Sequence, residues 1–348
     1  MQIAYKHHSN HLILERIADE IRLLGLFPKK LWPREDLRSG RLMEVRLRGE
    51  GRTATPAGAI EPTPCQMVLV STFEDHRSHG KLIVIILKDP VTGLLAEVNY
   101  LLCSRSPTIK TWLRVRNDGN APILVETIYS TILYNLAAGG LSPRLNRTYI
   151  HLWHSDWFGD GEWQKMALDE LGQPSHRSSH EQIVAERGLN KITMGMLEDI
   201  ETKTTWYWQV EPYSTCYWEF GEDTGGKLYV LAGEMGNSGR GWYGKLAPGE
   251  SLDTMPVTFG CVQGGRQEAL GALDSHYQNL ALGQSRGNRG PREGIPRPGA
   301  SMAVGLPRLN WSFGGNSSWT RLRLTSPYLC DTMKLEYGHF YRGRTQEA

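Results

Sequence analysis

From residue 42 to residue 259 the apolar positions recur at every second residue or in short continuous runs, the pattern of strands rather than helices. Thr108 to Arg116 alternates cleanly, with Ile109, Thr111, Leu113 and Val115 on one face and Lys110, Trp112, Arg114 and Arg116 on the other. Lys81 to Lys88 (KLIVIILK) is a short apolar run closed by Asp89-Pro90 and Gly93, and Leu94 to Leu102 is its hairpin partner. Asn117-Asp118-Gly119-Asn120 is a turn signal, after which Ala121 to Leu136 supplies another long β-branched strand. Residues 204–220 continue the pattern with aromatics: Trp206, Trp208 and Val210 share one face, Tyr207, Gln209 and Glu211 the other. Lys227 to Leu231 and Ser251 to Phe259 complete the set, the loop Pro248-Gly249-Glu250 leading into the last strand.

Two stretches have helical spacing. Ile13, Ile17, Ile21 and Leu24, with Glu15, Arg16, Asp19, Glu20 and Arg22 between them, predict a helix over 11–27 that ends at Gly25. Leu270, Leu273, Tyr277 and Leu280 predict a second, from about Arg266 to Leu282. The expected fold class is therefore mainly β: a large antiparallel β-supersandwich with an N-terminal helix and a C-terminal linking helix. The organisation that follows is a helical extension over residues 1–31, the sandwich over 32–260, the linking helix over 261–282 and a tail over 283–348. Residues 284–300 are rich in Gly, Pro and Arg, and the last fifty lack periodicity and turn logic, as in a disordered or misread segment.

Composition narrows the function classes. The 39 Lys and Arg against 37 Asp and Glu leave a formal charge of +2, which gives no reason to expect nucleic acid or an anionic membrane as partner. Cys65, Cys103, Cys216, Cys261 and Cys330 are odd in number and widely spaced with no CxxC, so they read as core or incidental thiols. The N-terminus lacks a basic-then-apolar leader, and no run approaches the ~18 apolar residues of a membrane span, so a cytoplasmic location is expected. Eleven Trp and 14 Tyr against 7 Phe favour aromatics with a polar handle, which suit both a large sheet core and a surface that stacks on sugar rings.

Candidate chemistry is sparse. Tyr149 to Trp163 holds His151 and His154 near Asp156, a possible ligand set; a strand there points the two histidines to opposite faces, and no third histidine has ligand spacing. A structural loop seating an aromatic edge accounts for the same residues, and no metal is expected. Ser178 and Ser179 lie between His176 and His180, without a nucleophile elbow or an orienting Asp. His7, His8 and His11 read as solvated side chains. The glycines of residues 236–241 belong to a hairpin loop, no phosphate-binding loop follows a strand, and no cofactor is implied. Glycoside hydrolysis needs two carboxylates, and spacing alone selects no pair in a sandwich.

Read in order, several segments resemble the N-terminal domain of glycoside hydrolase family 36 α-galactosidases. Glu35-Asp36-Leu37-Arg38 is similar to the family's early D-x-R loop. Lys88 to Leu94 and Thr111 to Gly119 look like a turn-and-strand run and the R-x-x-N-x-G strand and turn. Leu152 to Trp157 resembles an H-x-S-G-x-W stretch, with Ser155-Asp156 in place of S-G, and Arg177 to His180 matches an S-S-H element. Leu246 to Ser251 is similar to the L-x-P-G-E loop, and Gly271 to Tyr277 to the segment that leads into a (β/α)8 barrel. The likeness covers roughly residues 32–282.

The resemblance implies retaining hydrolysis of terminal α-galactosides by a full-length enzyme that forms a homo-oligomer. It also implies that this chain lacks the catalytic aspartates, because it has neither K-W-D nor S-C-S-G-G-G. No catalytic residue is therefore assigned. In bacterial members the D-x-R aspartate reaches a neighbouring subunit's active site. Asp36 is the matching position and Arg38 its supporting partner, both expected to bind substrate; a plain loop role for Asp36 stays open. Gly40 stands where the family has proline, one residue later. A stand-alone carbohydrate-binding module using exposed Trp residues is the rival reading, and a hydrolase built on His154, Asp156 and His180 a third.

Overall fold

The alternation along the chain is realised as strands almost throughout. The computed structural model describes residues 1–31, 37–47, 66–137, 147–154, 162–168, 183–186, 191–211, 216–222, 227–235 and 244–287. In chain order the strands are β1 (Gln2–His7), β2 (Asn10–Ile17), β3 (Glu20–Pro28), β4 (Glu44–Leu47), β5 (Val68–Arg77), β6 (Gly80–Lys88) and β7 (Leu94–Cys103). They continue as β8 (Thr108–Asn117), β9 (Ile123–Leu136), β10 (Thr148–His154), β11 (Glu162–Ala167), β12 (Ile183–Glu186) and β13 (Lys191–Asp199). The last are β14 (Thr204–Val210), β15 (Cys216–Glu222), β16 (Leu228–Met235), β17 (Gly244–Leu246), β18 (Ser251–Asp253) and β19 (Val257–Gln263), followed by helix α1 (Arg266–Gly287).

Among the described residues every strand pairing is antiparallel. A ten-stranded sheet runs β11-β10-β13-β14-β19-β8-β7-β6-β5, with β18 also on β8; a six-stranded sheet runs β12-β15-β16-β9-β17, with β4 also on β9. One apolar core lies between them. Ile83, Ile85, Val98, Ile109, Leu113 and Val115 reach it from the larger sheet, and Ile128, Ile132, Phe220, Val230 and Leu231 from the smaller. The rings of Trp208 and Trp218 meet edge to face across the layers, 5.2 Å between centroids. This is the expected mainly-β sandwich, and the alternation read over Thr108 to Arg116 and Trp206 to Val210 places the predicted faces inward.

The expected N-terminal helix is not formed. Residues 11–27 belong to the β2–β3 hairpin, which with β1 makes a separate three-stranded sheet. Both faces of this hairpin are covered: Leu12, Leu14 and Leu23 enter the main core, while Ile13, Leu24 and Phe27 form a small cluster with Leu37. A strand that is apolar on both faces loses its period of two, and its residues satisfy a helical template by coincidence. Ile17, counted toward the helical stripe, is exposed beside the turn. The turn itself is Ala18-Asp19, with Ala18 at φ +50°, so no glycine advertises it. The Trp206 indole N–H donates to Leu26 O at 2.8 Å, tying the hairpin to the large sheet.

Ser251 to Phe259, read as one strand, is two. Between β18 and β19 the chain leaves the ladder, and Thr254 bonds twice to Leu113: its N–H donates to Leu113 O and its hydroxyl accepts from Leu113 N, both at 2.9 Å. The C-terminal helix forms where expected and extends five residues further, to Gly287. Its buried positions are Ala269, Ala272, Leu273 and His276, at helical spacing, packed near Met194, Met196, Tyr207 and Val262 on the outer face of the large sheet.

Three of the segments that carry the family resemblance meet at one corner. Asp89 caps its own turn, accepting from Val91 N, Thr92 N and Thr92 Oγ1 at 3.2, 3.1 and 2.6 Å. Gly93 has φ +76°, and a Cβ there would lie 2.7 Å from Gly119 Cα, so the two turns interlock through glycine. Buried Asn117 joins the third segment: its Nδ2 donates to Ala121 O at 2.8 Å and Leu246 O at 2.9 Å, and its Oδ1 accepts from Gly119 N at 3.0 Å. These residues are turn architecture. Asn117→Ala is expected to cost about 1–2 kcal/mol, because it leaves the buried Leu246 carbonyl and the part-buried Gly119 amide without their partner. Urea unfolding measures this, and a loss below the few tenths of a surface substitution would contradict it.

Candidate functional site

Of the two residues expected to bind substrate, Asp36 lies outside the described residues. Arg38 lies within them, on the segment between the β3 end and β4. That segment is pinned to the hairpin. Gly40 exchanges both backbone hydrogen bonds with Leu23, at 2.8 and 2.9 Å, and the Ser39 hydroxyl donates to Glu15. Asn135, at the end of β9, donates through Nδ2 to Leu24 O at 2.5 Å and Arg38 O at 3.0 Å. Gly40 packs flat on the Tyr134 ring, where an added Cβ would come within 1.9 Å of ring carbon. The glycine that departs from the family's proline thus matches a buried tyrosine, since neither a Cβ nor a pyrrolidine ring fits there.

A cleft of about 550 Å³ opens beside this segment. Arg22, Arg38, Arg41 and Lys227 contribute positive charge to its lining; Glu15, Glu20 and Glu44 contribute negative charge. Arg22 and Glu20 are paired at 2.6 and 2.8 Å. The Glu44 carboxylate is buried and accepts from Arg46 Nε at 2.6 Å. Burial lowers the Arg41 guanidinium from its ordinary value, with Glu44 opposing that shift. Among the described residues the Arg38 side chain is exposed and makes no ion pair.

The other candidates are distributed differently. His151 is buried on β10 and bonds through Nε2 to Glu198, which also accepts from Lys165, both at 2.8 Å. Burial lowers the His151 pKa, opposed by Glu198. The side chain of His154, and residues 155–161 and 176–180, lie outside the described residues, so the Asp156 and Ser178-Ser179 readings do too. Among the described residues no three His, Cys, Asp or Glu side chains group as metal ligands. His7 is not solvated as expected: the β1–β2 turn folds over the 106–108 corner, and Nε2 of His7 meets Thr108 O at 3.1 Å. Of the Trp side chains described, Trp206, Trp208 and Trp218 are buried and Trp112 and Trp163 half-buried.

The family likeness points to Arg38, and the other charged residues of the cleft carry no motif in the sequence. Arg41 and Glu44 flank Leu42-Met43 without a motif, and Asn135 sits inside an apolar strand end. A charged residue in such a stretch reads as a solvated face. Only the packing of β4 and β9 against the hairpin encloses it.

The geometry defines a large antiparallel β-supersandwich with a charged cleft beside its N-terminal hairpin. Solved structures that superpose on it include family 36 α-galactosidases. AgaA from Geobacillus stearothermophilus superposes with TM-score 0.57 at 12% identity, over 76% of this chain and 41% of that one. The α-galactosidase from Lactobacillus brevis gives 0.60 at 13%, over 80% and 41%. The galactosidase domain of the α-galactosidase–sucrose kinase AgaSK gives 0.58 at 12%, over 78% and 41%. The chain thus corresponds to about two-fifths of the length of each. No protein-family profile and no curated protein sequence matches it. Among the described residues no helix is long and apolar enough to cross a membrane.

Proposed function

We propose that this chain is the β-sandwich part of a cytoplasmic α-galactosidase, with residues 32–260 as the sandwich and 261–282 leading toward a catalytic barrel. The observation that carries the reading is the shared fold: three quarters or more of the chain superposes on two-fifths of each α-galactosidase. Hydrolysis of terminal α-galactosides would belong to the whole enzyme. The sandwich would contribute to subunit assembly and to the active-site rim, with Asp36 and Arg38 facing substrate. The stand-alone carbohydrate-binding module is less favoured, because it calls for a platform of exposed aromatics, and the Trp side chains described are buried or half-buried.

The test is hydrolysis of p-nitrophenyl α-galactoside by the 348-residue chain beside a form extended through a barrel. Turnover by the extended form alone is expected. Turnover by the short chain that survives Asp36→Ala and disappears on loss of His154 or His180 would overturn the reading.

A further inference from the structure

The large sheet ends at β5, and among the described residues no strand pairs with its outer edge. Eight consecutive residues, Val70 to Arg77, are exposed, although β6 beside them is buried along most of its length. In the ladder to β6, Arg77 and Gly80 form the narrow pair next to a two-residue turn. Alternation from there turns the amides and carbonyls of Thr72, Glu74 and His76 away from β6. The register is regular from Ser71 to Arg77, with a bulge between Leu69 and Ser71. At that end the edge is closed, because Leu69 N–H donates to Asp19 O of the β2–β3 turn at 2.8 Å. Exposed edges are normally blunted by Lys, Pro or a covering element, and β5 holds neither residue. Its charges are engaged within the hairpin, Glu74 with Lys81 at 2.5 Å and Asp75 with Arg77 at 2.9 Å. The apolar Val70 and Phe73 are 57% and 50% exposed, and exposed Ile17 and Met1 lie at the same end.

An open edge of this kind accepts a strand, and its own sequence selects which. A second copy of β5 fits antiparallel in one register. With the two-fold at Phe73, Thr72 of each copy lies opposite Glu74 of the other, so outward groups meet outward groups. Ser71 then faces Asp75, and no like charges are opposed. The two Phe73 rings meet at the centre as a non-hydrogen-bonded pair, where cross-strand side chains come closest. A two-fold at Glu74 would set carboxylates face to face. One at Thr72 would part the rings and place Glu74 against Val70. We propose that two copies of this chain join through their β5 edges in the Phe73-centred register, making the large sheet continuous across the pair. Subunit assembly under the α-galactosidase reading names no surface; the strand and its register follow from the edge itself and hold without that reading.

The test is sedimentation equilibrium of the 348-residue chain across a wide concentration range, with oxidative cross-linking as the positional readout. A monomer–dimer equilibrium is expected. Thr72→Pro should abolish it, because proline removes an outward N–H and leaves the ladder to β6 whole. Phe73→Lys, which leaves the backbone donors in place, should do the same by setting two positive charges face to face. At low protein concentration Phe73→Lys should unfold in urea near the wild-type midpoint, since the ring is half exposed in one copy. Phe73→Cys should form a disulfide between position 73 of two copies under mild oxidation, because the Cα atoms of such a pair lie about 4.5 Å apart. Ile200→Cys, exposed on the turn between β13 and β14, should not. A wild type that stays monomeric, a dimer that survives Phe73→Lys, or equal cross-linking at both cysteine positions would each overturn the proposal. A position-73 link without turnover by the extended form would keep this edge and remove the α-galactosidase reading; turnover by an extended form that makes no such link would do the opposite.

Discussion

Arg147→Met is expected to cost about 3–5 kcal/mol, the range for breaking a buried ion pair by removing one partner. Arg147 is almost fully buried and donates three ways: Nη2 to Asp199 Oδ2 and to Ala137 O, both at 2.9 Å, and Nη1 to Glu201 at 2.6 Å. Asp199 is fully buried, and its other oxygen accepts from the amides of Glu201 and Thr202 at 3.0 and 3.3 Å. Ala137 follows β9 of the small sheet, while Arg147 and Asp199 border β10 and β13 of the large one, so the guanidinium clamps the two layers. Removing it strands a carboxylate in a low-dielectric site. Urea unfolding at neutral pH is the measurement. Asp199→Asn in the same chain should recover part of the loss, because it removes the uncompensated charge and keeps an acceptor for the two amides. A single variant as stable as wild type, or a double variant no better than the single, would show that the clamp contributes little. The domain's whole stability is on the order of 5–15 kcal/mol, so the single change removes a large share.

Acidification from pH 7 to 4.5 is expected to cost about 2–3 kcal/mol for each of two buried histidines. Burial lowers His7 to about 4, with His8 adding a like charge and the carbonyls of Thr108 and Ser106 opposing. Burial likewise lowers His276 to about 4, with Lys110 contributing in the same direction. His276 sits on α1 with Nδ1 3.5 Å from the Cys103 thiol, whose own pKa burial raises to about 11. Both histidines stay neutral in the folded chain down to about pH 4. The unfolded chain takes up those protons near pH 6.5, so it binds more protons than the native state between these values. Stability is therefore full above about pH 6.5 and falls toward pH 4, with no further loss from these two groups below that. Urea unfolding across this range, in wild type and in His276→Leu, isolates one contribution from the carboxylates that also titrate. An unchanged pH slope in the variant would refute the assignment.

Both predictions concern residues that hold layers together, and both were invisible to pattern reading. Arg147 follows a short polar stretch and looks like any loop arginine. His7 lies in a polar N-terminus that reads as solvated. The burial of each depends on a partner more than fifty residues away: Asp199 for the arginine and the 106–108 corner for the histidine. The turns show the opposite case. Asp89 to Gly93 and Asn117 to Gly119 were legible because Asx capping and positive φ demand particular residue types at particular places. What pattern could not convey is that these turns and the Leu246 to Glu250 loop meet at Asn117, which makes family-like motifs architectural.

The sequence by itself determined the strand-rich class, the faces of β8 and β14, the 6–7 hairpin of the large sheet and the C-terminal helix. In β8 and α1 one face is buried and the other is not, so the periodicity survives in the residue order; β6, β7 and β14, covered on both faces, are marked instead by β-branched and aromatic runs between turn signals. Only the tertiary structure decided the N-terminal hairpin, the break at Thr254 and the charged cleft. The hairpin is covered on both faces, which erases the alternation that would have distinguished it from a helix. The cleft is assembled from β2, β3, the Arg38 segment, β4 and the end of β9, and its character comes from side chains that meet only when those elements pack.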